Sequence, residues 1–109
     1  MVPTITRAEL KQKIDRGDEF YLVETLSDEQ FREGHLPGAI HLPPGRLAEL
    51  APQLLPDPVK EVIVYCTNPE CRASEFAARM LTALGYQNVR RYPGGKQEWL
   101  EAELPLLTR

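Results

Sequence analysis

Residues 62–72 read VIVYCTNPECR. The first four are β-branched or aromatic and a cysteine follows, with no charged residue among the five. Such an unbroken run predicts a strand over 62–66 that is buried on both faces, the pattern of a parallel sheet. The six residues 67–72 then read as a loop. A helix over 73–84 follows, in which Phe76, Ala77, Met80, Leu81 and Leu84 form one stripe and Gly85 supplies the stop. Strand, short loop and helix make half of a βαβ unit. They put one thiol, Cys66, at the carboxyl end of the strand, where open α/β sheets bind their ligands.

Working outward, the same alternation continues. Thr6 with Glu9 is a capping box that opens a helix carrying Leu10 and Ile14 and stopping near Gly17. Residues 20–24 are a short strand candidate. Ser27 or Asp28 caps a second short helix, which carries Phe31 and ends near Gly34, and 39–42 is a further short strand. The proline-rich stretch 43–58 also holds Leu47, Leu50, Leu54 and Leu55, so it reads as an ordered connection containing a short helix rather than a linker. Residues 89–92 are another strand and 96–103 a last helix, with Pro105 just beyond. Strands alternating with helices predict an α/β fold, a small parallel sheet flanked by helices on both faces, in a single domain over 1–109.

Composition narrows the class. The chain has 109 residues, 42% hydrophobic and 27% charged, which argues against a disordered or collagen-like chain. A net charge of −3 gives no basic footprint for nucleic acid. Residues 1–9 (MVPTITRAE) are too polar for the apolar segment of a signal peptide, and no apolar run is long enough to span a bilayer. The expected address is the cytoplasm, where cysteines stay reduced unless they do chemistry. No Cys or His spacing resembles a zinc site, so no metal or cofactor is expected, and His35 and His41 read as structural.

Cys66 and Cys71 are the only cysteines. Each has an uneventful reading as a small buried residue. Position favours chemistry for Cys66. If loop residues Thr67, Asn68, Pro69, Glu70, Cys71 and Arg72 curl round the thiol, backbone N–H groups, the following helix N-terminus and the Arg72 charge all favour thiolate. The same cradle suits an oxyanion or the terminal sulfur of a persulfide. Cys71 has a sharper reading as a resolving thiol that closes a disulfide onto Cys66, with Pro69 fixing the turn between them. Arg90, Arg91 and Lys96 form a small basic cluster, read either as solvated charge or as steering for an anionic substrate. Gly94 and Gly95 suit a tight turn and close backbone approach beside the loop. Trp99 reads as core or helix anchor.

Three segments together resemble the single-domain rhodanese-like family. Residues 34–43 read GHLPGAIHLP, with Phe31 ahead of them. Residues 62–66 lead into an active-site loop and a Ser-x-x-Ala-Ala helix, here 74–78. Residues 84–99 read LGYQNVRRYPGGKQEW, matching Gly-Tyr-x-x-Val and Gly-Gly-x-x-x-Trp segments. The resemblance implies a sulfurtransferase in which Cys66 takes a sulfane sulfur from a small anionic donor such as thiosulfate or polysulfide. The resulting persulfide passes the sulfur to a thiol or cyanide-like acceptor or to a sulfur-accepting protein.

Two features depart from the family pattern. Arg72 stands six residues after Cys66, a C-x5-R spacing that is similar to rhodanese-fold dual-specificity phosphatases and arsenate reductases. Glu24-Thr25-Leu26 stands where the family often has Asp-Val-Arg, so one site charge is absent or comes from elsewhere. The alternatives that stay open are a phosphatase or arsenate reductase, and a redox or sulfur-carrier module with little turnover. Fold resemblance does not choose among them.

Overall fold

A computed structural model describes residues 2–108. Four parallel strands form one sheet: β1 (Tyr21–Glu24), β2 (Ile40–His41), β3 (Val62–Tyr65) and β4 (Val89–Tyr92), in the order β2-β1-β3-β4. The helices are α1 (Arg7–Arg16), α2 (Asp28–Glu33), α3 (Leu47–Leu54), α4 (Ala73–Ala83) and α5 (Gly95–Glu101), with a 3-10 turn at Pro44–Arg46 before α3.

Strand alternation divides the core into two layers. Val62 and Val64 face one side, with Leu47 and Ala51 of α3 and Ala77, Ala78 and Leu81 of α4. Ile63 and Tyr65 face the other, with Leu10 of α1 and Trp99 of α5. All four β3 side chains are fully buried, as the apolar run 62–66 predicts. In register, β4 sets Arg90 beside Ile63 and Arg91 beside Val64. The two arginines therefore project to opposite sides of the sheet.

The helix ends follow the sequence. Thr6 Oγ1 accepts from the Glu9 amide at 3.1 Å, and Gly17 closes α1 at φ 72°. Only half of the predicted box forms there, because the Glu9 carboxylate goes to Arg90 instead. The full capping box sits on α2, between Ser27 and Gln30.

Three expectations are corrected. The second strand is two residues long rather than spanning 39–42. The helix in the proline-rich stretch buries Leu47 and Ala51, and Leu55 just after it is buried too, while Leu54 is exposed. On α4 the buried face is Ser74, Ala77, Ala78 and Leu81; Phe76, Met80 and Leu84 lie outward. Small residues at positions 74, 77 and 78 let α4 lie close on the sheet, so the bulkier stripe turns to solvent despite its hydrophobicity.

Residues 3–5 run along the outer edge of β4. The Arg91 amide donates to the Pro3 carbonyl at 2.8 Å, and the Ile5 amide donates to the Arg91 carbonyl at 3.0 Å. This strap covers the backbone edge that an outer strand otherwise leaves open. Among the described residues, no helix is long and apolar enough to cross a membrane.

Candidate functional site

Cys66 follows β3 directly and is 1% exposed. Its loop is held at both ends. At the start, α5 docks end-on: the Lys96 amide donates to the Cys66 carbonyl at 3.0 Å and the Gln97 amide to the Thr67 carbonyl at 2.9 Å. Gly95 makes this approach possible. It sits at φ 64°, and a Cβ there would lie 2.5 Å from the Cys66 carbonyl oxygen. The expected close backbone approach at the Gly-Gly pair is therefore present at Gly95.

Inside the loop, the Cys71 amide donates to both the backbone oxygen and the Oδ1 of Asn68, each at 3.1 Å. That N–H is spent within the loop and does not face the sulfur. The Cys66 and Cys71 sulfurs are joined in a disulfide, with Cα atoms 6.4 Å apart. The turn containing Pro69 thus holds the two sulfurs together rather than apart.

The cation at the sulfur is Arg91. Its Nε donates to Ser74 Oγ at 2.7 Å, and Ser74 Oγ lies 3.3 Å from Cys66 Sγ. With its oxygen accepting from Arg91, the Ser74 hydroxyl has its own proton free to turn toward the sulfur. The Arg91 Nη2 also donates to the Cys71 carbonyl at 3.0 Å and reaches the Pro69 carbonyl at 3.4 Å. One guanidinium thus clamps the loop and touches the sulfur through a hydroxyl. Among the described residues, no carboxylate pairs with it.

Arg72 is placed differently. It is the residue before α4, its side chain is 75% exposed, and it pairs with Glu75 at 3.4 Å. The charge expected from Arg72 is supplied by Arg91, from a neighbouring strand. Glu70 and Pro69 are exposed, and Thr67 and Asn68 are half-buried. In sequence, Arg91 reads as either solvated charge or steering, and Ser74 only as part of a helix motif. The register of β4 against β3 aims Arg91 to the α4 side, and no local signal in the sequence carries that register.

Beneath the loop lies a buried ionic group. Glu24, fully buried at the end of β1, pairs with Lys96 Nζ at 2.8 Å and accepts from the Tyr65 hydroxyl at 2.7 Å. Burial, with the Glu24 charge beside it, pushes the Tyr65 phenol well up, so it stays a donor. Its oxygen in turn accepts from the Leu36 amide at 3.0 Å. Lys96 also donates to the Gln30 carbonyl at 2.8 Å, tying α2 to α5. Thr25 donates through its amide and its hydroxyl to the Tyr65 carbonyl, each at 3.2 Å, just ahead of Cys66. Leu26 is buried where the family often has arginine, and Lys96 is the cation that reaches Glu24.

The histidines are structural in placement. His35 stacks on Phe31 at 4.0 Å and its Nδ1 lies 3.0 Å from the Phe31 carbonyl. His41 faces the Leu26 carbonyl at 2.6 Å and the Asp28 carboxylate at 3.1 Å. A cleft of about 500 Å³ opens between α2 and α5, lined by Gln30, Glu33, Thr67, Lys96 and Leu100 among others. It touches the loop at Thr67, and Cys66 is not in its lining.

Comparison with known proteins fits this geometry. The family model for the rhodanese-like domain matches residues 6–102. An HTH-type transcriptional regulator of Mycobacterium tuberculosis, Rv0324, is 35% identical over 102 residues, covering 94% of this chain and 43% of that protein. The chain therefore spans less than half of that relative's length. A provisionally named sulfurtransferase of Bacillus subtilis, YtwF, is 31% identical over 98 residues, covering 90% of each. The crystal structure of the Bacillus halodurans protein BH2092 superposes with a TM-score of 0.91 at 27% identity, covering 97% of this chain and 77% of that one.

Proposed function

This chain belongs to the rhodanese-like domain family, and from that premise we propose that it moves sulfane sulfur through a persulfide on Cys66. The Cys66 thiolate attacks the outer sulfur of a donor such as thiosulfate. The sulfur–sulfur bond of the donor breaks, and sulfite leaves with the electron pair. A thiolate or cyanide-like acceptor, or a sulfur-accepting protein, then takes the outer sulfur and returns Cys66 as thiolate. The dithiol is the working form, and reduction of the Cys66–Cys71 bond precedes the first turnover.

The observation that carries this reading is the chain from Arg91 through Ser74 to Cys66 Sγ. A charge-assisted hydrogen bond at a nearly buried sulfur favours both the thiolate and the equally anionic persulfide. Among the described residues no carboxylate neutralises the guanidinium, so its charge is available to an incoming anionic donor. YtwF, which covers the same span, bears the sulfurtransferase name. The C-x5-R spacing, by contrast, does not deliver its arginine: Arg72 lies out on Glu75. No observation of the loop favours a phosphatase or arsenate reductase.

The test is intact mass after incubating the reduced Cys71→Ser variant, which keeps Cys66 as its thiol, with thiosulfate, and separately with inorganic polysulfide. A gain of ~32 Da that needs Cys66 and disappears with cyanide is the expected result. A Cys66 that alkylates readily but gains no sulfur from either donor would remove the reading.

A further inference from the structure

Cys71 has no task in the transfer just described, yet it is bonded to the sulfur that carries it. We propose that Cys71 discharges the Cys66 persulfide within the same chain, so that the domain releases hydrosulfide from sulfane-sulfur donors. This rests on the persulfide reading above and adds a second outlet for the bound sulfur.

The step balances without an outside oxidant. The Cys71 sulfur attacks Cys66 Sγ, the inner sulfur of the persulfide. A Cys66–Cys71 bond forms as the bond from Sγ to the outer sulfur breaks. The outer sulfur leaves with that electron pair and takes the proton given up by Cys71, departing as hydrosulfide. The outer sulfur is reduced and the Cys71 sulfur is oxidised. The product is the disulfide seen in the structure. A further round needs two electrons from a dithiol reductant.

Three features support this assignment. The loop brings the two sulfurs to bonding contact with the rest of the fold in place. Cys71 is also fixed independently of its sulfur: Asn68 holds its amide and Arg91 holds its carbonyl. Exposure is unequal, since Cys66 is 1% exposed while Cys71 is half-buried. A dithiol reductant therefore meets Cys71 first. Attack there expels Cys66 as the leaving thiolate, next to the Ser74 hydroxyl that receives it. Stabilising the leaving thiolate speeds exchange in that direction.

The experiment gives thiosulfate to reduced wild-type protein and to reduced Cys71→Ser, with no other thiol present. Wild type is expected to release one sulfite and one sulfide per chain. It should then stop ~2 Da below its reduced mass and restart when a small dithiol is added. Cys71→Ser should release sulfite without sulfide and hold ~32 Da of added mass. A wild-type chain that holds its added sulfur as long as Cys71→Ser does would overturn the inference and leave the transfer reading standing. If neither protein gains sulfur from thiosulfate, or from inorganic polysulfide in its place, the transfer reading fails and takes this inference with it.

Discussion

Arg90 and Arg91, neighbours on β4, meet opposite surroundings on the two sides of the sheet. On the α1/α5 side, Arg90 meets Glu9 at 3.1 Å and Glu61 at 3.4 Å, and Lys96 meets the buried Glu24 at 2.8 Å. On the α4 side, Arg91 meets a hydroxyl and two carbonyls and, among the described residues, no carboxylate. The residues are of one kind, and two of them are adjacent in sequence. The compensated cations lock elements together, whereas the uncompensated one is aimed at a sulfur. A cation near a strand end does not mark a site until its counter-ion is known.

The comparison can be tested from its strongest member down. Lys96→Ala should cost about 3–5 kcal/mol, because it strands the Glu24 carboxylate without its cation in the interior. Thermal unfolding checks this, with a drop in Tm of more than about 10 °C expected for a chain of this size. Replacing both partners, with Glu24→Gln and Lys96→Met, should recover most of the loss. A small effect of Lys96→Ala would mean that this side is not organised by charge pairing.

Arg91→Ala should act on rate rather than stability. Losing a charge-assisted hydrogen bond that acts through Ser74 corresponds to about a 10–100-fold fall in thiosulfate turnover. Ser74→Ala should show a similar fall, and the double variant should be little worse than either single one, since both break the same chain. Additive losses would show that the guanidinium and the hydroxyl act separately. Arg91→Lys should rescue incompletely, because an ammonium cannot span Ser74 and the loop carbonyls with the planar fork of a guanidinium.

Arg90→Ala should have the smallest effect, lowering Tm by a few degrees with turnover unchanged. Its pH dependence is specific. The hydrogen bond from Arg90 holds the Glu9 carboxyl below its ordinary value. A carboxyl with a depressed folded value stabilises fully above its unfolded value, and that stabilisation is lost as pH falls through the folded one. The Tm gap between wild type and Arg90→Ala should therefore be full at neutral pH and close as the solution becomes more acidic than the carboxylate range. A gap that persists there would point to lost packing of the arginine stem instead.

Much of the fold is legible in the sequence because each element carries its own local signal. The run 62–66 has no solvent face, Thr6 and Ser27 cap their helices, and Gly17 takes the left-handed turn that its position demands. Cys66 is legible as a candidate site because it ends the most buried strand. Other features depend on tertiary choices. The buried face of α4 follows from how closely small residues let it approach the sheet, which outweighs the pull of Phe76 and Met80. The aim of Arg91 depends on the register of β4 and on which helix covers which side. The nearest arginine in sequence, Arg72, instead finds a carboxylate one helical turn away.

The strap along β4 has a kinetic consequence. Since the Arg91 amide is bonded to Pro3 rather than to a strand inside the sheet, its hydrogen should exchange with solvent whenever residues 3–5 lift. The amides of β3 should wait for much larger openings. The backbone that aims the guanidinium would then exchange with the periphery, although its side chain reaches the slow-exchanging centre.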